Sequence, residues 1–195
     1  MEIVELFNLL SFVKEDIEII NARKGHLVDD EAKLSSVVLI KSGLVEVRSA
    51  NGTLIQLLKQ NSVYGVSNLF CDERLKTKLS CLEDSILIFV SKEVFRKKLL
   101  KNEEALTLYC TFMNSRISFL LSRIDLLTKE SSREKVRSYL LTKNIEFSSR
   151  TQLASYLAIA RSALFKELKY FEDRGAIETK GHKILIKDIE KLKEI

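Results

Sequence analysis

The 195-residue sequence predicts an α+β protein in three successive parts. Three observations predict it. Short apolar runs separated by turn signals fill the stretch from Ile19 to Val90. The apolar spacing then lengthens to a seven-residue repeat between Glu103 and Leu127. The last third shows two short helix patterns followed by a hairpin pattern, and it holds the whole charge excess. These features divide the chain into an antiparallel β-barrel domain at 1–101, a long dimerisation helix at 102–128, and a small helical domain closed by a hairpin at 129–195.

Residues 1–18 read as a short helical lead-in. Val37-Val38-Leu39-Ile40, Leu44-Val45-Glu46-Val47, Leu54-Ile55-Gln56-Leu57-Leu58 and Ile86-Leu87-Ile88-Phe89-Val90 read as strands. Their punctuation is Lys24-Gly25, Ser42-Gly43, Asn51-Gly52, Asn61-Ser62 and Tyr64-Gly65. Asn51-Gly52 between apolar runs signals a hairpin of type I′, which needs positive φ at both central residues. Strands at roughly ten-residue spacing suggest a small antiparallel barrel or sandwich. Pro is absent and Gly numbers six, so each glycine carries information about a turn.

Ser91-Lys92-Glu93-Val94 starts a helix containing Phe95, Leu99 and Leu100. In the long helix that follows, Leu106, Cys110, Met113, Ile117, Leu120, Ile124 and Leu127 recur at spacings of 4 and 3, a heptad seam. Leu108, Phe112, Ser115, Phe119, Ser122 and Leu126 form a second row. A helix with two such faces needs a partner besides its own domain, and the natural partner is the same helix of a second copy. The other reading is a helix buried in a monomer core.

Residues 1–127 carry 17 basic and 17 acidic side chains, and residues 128–195 carry 15 and 10. This asymmetry points to a polyanion-binding part joined to a neutral part. Ser131-Ser132 caps a helix with Val136, Tyr139, Leu140 and Leu141. Ser149-Arg150-Thr151-Gln152 is a capping box, opening a helix with Leu153, Ala154 and Leu157. After a turn near Ala158-Ile159-Ala160, the helix from Arg161 to Arg174 places Leu164, Leu168 and Phe171 on one face. Arg161, Ser162, Lys166 and Lys169 lie on the other. Gly175 closes it, and residues 176–179 and 183–186 flank a Lys180-Gly181 turn.

Two short helices, a tight turn and a hairpin make the pattern of a winged helix-turn-helix. Such a unit lays its second helix in the major groove of double-stranded DNA. Side chains near the N-terminus of that helix meet base edges, and an Arg there donates bidentately to guanine. Ser149, Arg150, Thr151, Lys169, Lys180, His182 and Lys183 are the candidate phosphate contacts, the first three favoured by a helix N-terminus.

With these residues in place, the chain resembles the Crp/Fnr family of bacterial transcription regulators. The resemblance rests on Lys24-Gly25, Val38 through Val47, Asn51-Gly52, Tyr64-Gly65 with Leu69-Phe70, Ser149 through Ala154, and Arg161 through Leu168. It implies a cyclic-nucleotide-binding-like β-barrel, a dimer helix and a winged helix-turn-helix working as a homodimer on DNA, with RNA polymerase as a further partner. The family's recognition positions fall on Arg161, Ser162 and Lys166, the base contacts the resemblance implies, although many members carry Glu where Ser162 stands and Arg where Lys166 stands. Lys meets guanine as a point charge rather than a rigid fork.

The effector pocket the resemblance implies lies at Tyr64, Gly65, Val66, Lys76 and Thr77, and it is degenerate. Cyclic-AMP-binding members have a Glu where Val66 stands, and Val66 accepts no hydrogen bond. Lys76 supplies a charge without the bidentate geometry of Arg, and Lys78 replaces a small residue. The expectation is a regulator not responsive to cyclic AMP, its small-molecule effector unassigned. The alternative is a small-molecule-binding regulatory module without direct DNA binding.

Enzymatic and metal chemistry find little material. There is no nucleophile triad, paired-carboxylate motif or phosphate loop. Cys71, Cys81 and Cys110 lack zinc spacing and fall short of four iron–sulfur ligands, and only His26 and His182 are present. No cofactor and no metal are expected. The three cysteines read as ordinary thiols, with redox sensing as the other reading. The acidic Met1-Glu2-Ile3-Val4-Glu5 start and the lack of an 18-residue apolar stretch predict a cytoplasmic protein with no membrane segment.

Overall fold

The computed structural model describes residues 2–28, 35–71, 76–142, 147, 149–181 and 183–194. The chain divides into two compact units, Met1–Ser118 and Phe119–Ile195.

The first unit opens with α1 (Glu2–Leu10), shorter than the lead-in expected through residue 18. Residues five apart do not share a helix face, so the chain must leave the helix for Phe12 to reach Phe7. Their ring centroids lie 5.3 Å apart, and both pack on Phe95 at 5.4 Å. Eight strands follow: β1 (Ile17–Ala22), β2 (Leu27–Val28), β3 (Ser36–Ser42), β4 (Val45–Ser49), β5 (Leu54–Leu58), β6 (Val63–Tyr64), β7 (Thr77–Cys81) and β8 (Ser85–Ser91). The helices α2 (Lys92–Leu99) and α3 (Glu103–Thr128) come next. Ser91 caps α2, accepting from the Val94 amide as its position before the helix suggests.

The strands make two antiparallel four-stranded sheets, ordered β1-β8-β3-β6 and β2-β7-β4-β5. The expected antiparallel β domain is present, its barrel not closed but sandwich-like. The edge strands β2 and β6 have two residues each, too short to carry a ladder from one sheet to the other. Val38, Ile40, Val45, Val47, Leu79, Cys81, Leu87 and Phe89 alternate into the shared core.

Sheet composition follows coverage. On the first sheet Val37 and Val90 turn the opposite way, against Leu6, Phe7 and Leu10 of α1, Phe95 and Leu99 of α2, and Ala105 of α3. With both faces covered, β3 and β8 read as continuous apolar runs. On the second sheet β4 alternates, with Val45 and Val47 in the core and Glu46 and Arg48 paired at 2.8 Å.

The β4–β5 hairpin exists, but not with the expected type I′ turn. Gly52 has φ +85°, while Asn51 is not among the positive-φ residues. The Gly52 amide donates to the Ser49 carbonyl at 3.0 Å, and the register shifts between Val47 and Arg48. A bulge thus absorbs the extra residue, and one left-handed position suffices.

Gly65 is required on two counts. Its φ is +89°, and a Cβ there would stand 2.5 Å from the Ser36 carbonyl oxygen on β3. Gly65→Ala should cost about 2–4 kcal/mol from overpacking and left-handed strain. Urea unfolding followed by circular dichroism checks this, and an unchanged midpoint would contradict the close approach.

The second unit contains the end of α3, then α4 (Ser132–Thr142), α5 (Arg150–Leu157), α6 (Arg161–Asp173), β9 (Ile177–Lys180), β10 (Lys183–Ile186) and α7 (Ile189–Glu194). Its buried residues include Val136, Leu140, Leu153, Leu157, Leu164, Leu168, Phe171, Ile177, Ile184 and Leu192. The turn between α5 and α6 passes through Ala158 in the left-handed region, φ +51°. The β9–β10 hairpin pairs Lys180 with Lys183 at its tip and Ile177 with Ile186 at its base. Among the described residues, no helix is long and apolar enough to cross a membrane.

Candidate nucleic-acid interface

Helix α6 is two-sided. Leu164, Glu167, Leu168 and Phe171 are buried, and at 3.6 residues per turn they share one arc. Arg161, Ser162, Phe165, Lys166 and Lys169 occupy the exposed arc. All three candidate base contacts, Arg161, Ser162 and Lys166, thus face out together. The Arg161 guanidinium lies 5.4 Å from the centroid of the Phe165 ring one turn on.

The inner arc is pinned. Glu167, 7% exposed, accepts from Nε of Arg133 on α4 at 2.8 Å. The Arg133 guanidinium also lies 3.5 Å from the Tyr170 ring centroid, and Arg174 lies 3.6 Å from the same ring. Tyr170 is therefore in cation–π contact with two cations.

At the start of α5 the Ser149 hydroxyl accepts from the Gln152 amide at 3.2 Å, the first half of the expected capping box. Thr151 is exposed beside it. Arg150 departs from the expectation of a free phosphate contact. It is buried, and its guanidinium donates to the Gly181 carbonyl at the hairpin tip, 3.2 Å away. Burial pushes its pKa down. Its hydrogen bond ties α5 to the wing.

A groove of ≈570 Å³ runs between these parts, lined by Ser149, Thr151, Arg161, Phe165, Lys169 and Gly181 among others. Ser149, Thr151, Arg161 and Lys169 thus meet at one groove with the wing tip, beside the carboxylates of Glu172 and Asp173, while Ser162 and Lys166 are exposed but do not line it. Lys180 and Lys183 are exposed on the wing. Lys180 pairs with Glu178 at 3.1 Å, a surface pair of little strength that leaves the ammonium exchangeable. His182 lies outside the described residues.

A second tie fixes the wing. Glu172, on α6, accepts from both the amide and the hydroxyl of Thr179 on β9, each at 2.8 Å. The Thr179 amide bond lowers the Glu172 pKa most, the hydroxyl bond adds to it, and Arg150 assists while Glu178 opposes. Sequence reading missed two further residues. Arg123, near the end of α3, is 5% exposed and donates to the Tyr156 carbonyl at 2.8 Å while stacking on that ring. Phe165, assigned no role from sequence, stands between the polar positions Arg161 and Lys169, and that spacing marks it as outward-facing.

In the first unit, Tyr64 packs on the sandwich core, and its hydroxyl is hydrogen-bonded to Thr77. This bond joins β6 of one sheet to β7 of the other. Burial pushes the Tyr64 pKa up, against a lesser lowering by Thr77. Val66, 1% exposed, belongs to the core beside α1 and α2. Lys76 and Lys78 are exposed. Cys81 is buried, and Cys71 and Cys110 are exposed. Among the described residues, no group of three or more His, Cys, Asp or Glu could hold a metal.

A folded carboxylate held below its unfolded pKa stabilises above the unfolded value and loses that contribution as pH falls through the folded one. The Glu172–Thr179 tie should therefore be complete at neutral pH and open below 4.5, the ordinary glutamate value. The Thr179 amide resonance should titrate with a midpoint below that value, and Glu172→Gln should remove the transition. A midpoint at or above 4.5 would contradict the tie.

Comparison with known proteins follows this geometry. A cyclic nucleotide-binding domain model matches residues 22–102, and a Crp-like helix-turn-helix domain model matches residues 117–195. A mutant of CooA from Carboxydothermus hydrogenoformans superposes with a TM-score of 0.80 at 17% identity, covering 100% of this chain and 95% of the other. FixK2 from Bradyrhizobium japonicum gives 0.71 at 14%, covering 91% and 96%. A Crp/Fnr-family regulator from Eubacterium rectale, its assignment provisional, gives 0.65 at 18%, covering 97% and 93%. No curated protein matches significantly in sequence. The structural likenesses speak for the fold. The two domain models in this order decide against a small-molecule module without DNA binding: the chain belongs to the Crp/Fnr family of DNA-binding transcription regulators.

Proposed function

We propose that this regulator acts as a homodimer in which two copies of α6 enter successive major grooves of one operator. The groove that gathers Ser149, Thr151, Arg161 and Lys169 beside the wing tip carries the reading. Arg161, Ser162 and Lys166 contact bases. Arg161 offers a bidentate donor pair to guanine O6 and N7, and Lys166 adds a point charge. Ser149, Thr151, Lys169, Lys180 and Lys183 hold phosphates, while Arg150 positions the wing from within. His182, at the wing tip in sequence, joins the phosphate contacts.

The dimer forms along α3. Ile117, Leu120 and Ile124 are exposed at 53%, 47% and 58%, with Cys110 exposed and Met113 and Leu127 half-buried. Leu106, also half-buried, leans on the core of its own unit and so contributes less to the seam than the heptad alone suggests. In functional terms the chain divides into a sensor domain at 1–101, a dimerisation helix at 102–128 and a DNA-binding domain at 129–195. It works in the cytoplasm with RNA polymerase as a protein partner and uses no catalytic step.

The sensor domain does not answer to cyclic AMP. Val66 is spent on the core, Tyr64 and Thr77 bond to each other, and Lys76 and Lys78 face solvent. An effector of other chemistry acts by shifting the population of dimers whose recognition helices match the half-sites.

Two experiments test this. Arg161→Ala should lose about 1–3 kcal/mol of discrimination per half-site in gel shifts on selected fragments, with the sedimenting dimer unchanged. Retained selectivity would refute the role of Arg161. Calorimetry with cyclic AMP should give no saturable isotherm, and binding of one nucleotide per subunit would overturn the reading of the sensor pocket.

A further inference from the structure

Phe165 is the side chain the preceding reading leaves unused. It is 46% exposed and stands midway along the outward arc of α6, between Arg161 one turn before and Lys169 one turn after. It lines the same groove as both. Its neighbours on that arc are all polar, Arg161, Ser162, Lys166 and Lys169 together with the carboxylates of Glu172 and Asp173 further along, so the ring is an apolar surface on a polar face. The buried residues of α6 lie on the opposite arc, and packing within the unit gives no reason for an aromatic there. The Arg161 guanidinium lies 5.4 Å from the ring centroid, within cation–π range.

We propose that Phe165 is a specificity-determining residue that reads the C5-methyl group of a thymine next to the base contacted by Arg161. This rests on the reading that α6 faces the bases. In the major groove, thymine alone among the four bases presents a methyl group, and an apolar side chain is the group that recognises it. Phe165 sits one helical turn beyond Arg161, so the two meet neighbouring base pairs. Arg161 takes the hydrogen-bonding edge of one and Phe165 the methyl of the other. Insertion of the ring between base steps is the competing use of an exposed aromatic, but such wedges act from the minor groove.

The test begins with selection of bound duplexes from a random pool by the full-length wild type, Phe165→Ala and Arg161→Ala. The wild type should select a thymine that Phe165→Ala no longer selects. That thymine is then replaced by uracil, which keeps base pairing and removes only the methyl. Wild type should bind the uracil duplex about fourfold more weakly per half-site, the factor expected for one buried methyl. Phe165→Ala should bind the two duplexes equally, and Phe165→Leu, which keeps an apolar tip, should retain a preference for thymine. The proposal is overturned if the wild type selects no such thymine, if it binds thymine and uracil equally, or if Phe165→Ala remains sensitive to the methyl. Should Arg161→Ala still alter selection in those cases, α6 keeps its place at the bases and only the assignment of Phe165 falls. Unaltered selection by both variants removes α6 from the bases as well.

Discussion

The rotation of α6 about its own axis is the constraint from which the exposed arc of the second unit's helix-turn-helix follows. Apolar burial of Leu164, Leu168 and Phe171 sets it roughly, and the Arg133–Glu167 pair sets it sharply. A buried carboxylate without a partner is costly, so Glu167 must stay where Nε of Arg133 reaches it. Turning the helix by one residue, about 100°, would carry Arg161 and Glu172 inward and push Leu164 and Phe171 into water. With the inner arc held, Arg161, Ser162, Phe165, Lys166 and Lys169 have only one side to occupy. The wing is then referenced to the same helix through Glu172 and Thr179, and to α5 through Arg150 and Gly181. Interior bonds decide the geometry of the exterior surface.

The sensor sandwich uses its polar groups in a comparable way. Ser80 donates to Glu46, and Arg48 donates to the other oxygen of the same carboxylate, both at 2.8 Å. Burial has the largest single effect on Glu46 and pushes its pKa up, but the bonds from Arg48 and Ser80 with the Arg48 charge outweigh it and hold the carboxyl below its ordinary value. Tyr64 and Thr77 likewise bond to each other across the sheets. Each such pair withdraws donors and acceptors from any ligand. The stretch that matches a cyclic nucleotide-binding domain, residues 22–102, thus holds these paired polar groups together with a buried Val66.

Much of this was legible in the sequence because period and punctuation report local geometry. The alternation in β4, the helix starts at Ser91 and Ser149, and the outward trio of α6 all depend on neighbours within a few residues. What escaped depends on distant partners. Arg150 reads as a cation at a helix start, and nothing local reveals a carbonyl acceptor 31 residues away. Arg123 finds Tyr156 33 residues on. The strand pattern left barrel and sandwich open, because closure depends on edge-strand length, which the pattern does not report. Asn51-Gly52 marked a turn correctly, but the bulge that fixed its type lies in the pairing of Arg48 with Leu54.

Helix α3 carries the same lesson further. A heptad row identifies a face, and burial identifies what covers it. In the first unit Leu108, Tyr109 and Phe112 pack on the core, and Leu106 from the heptad row joins them. In the second unit Leu126 is buried. Between these, Ile117, Leu120, Leu121 and Ile124 stand 47–61% exposed at i, i+3, i+4 and i+7, one face of a helix. Full burial of such side chains contributes about 1.5–3 kcal/mol each, and roughly half of that is still unrealised here. A two-fold contact uses every residue twice, so four side chains count as eight. In the proposed dimer the same apolar face would set the symmetry of the operator, with half-sites about one DNA turn, ~34 Å, apart.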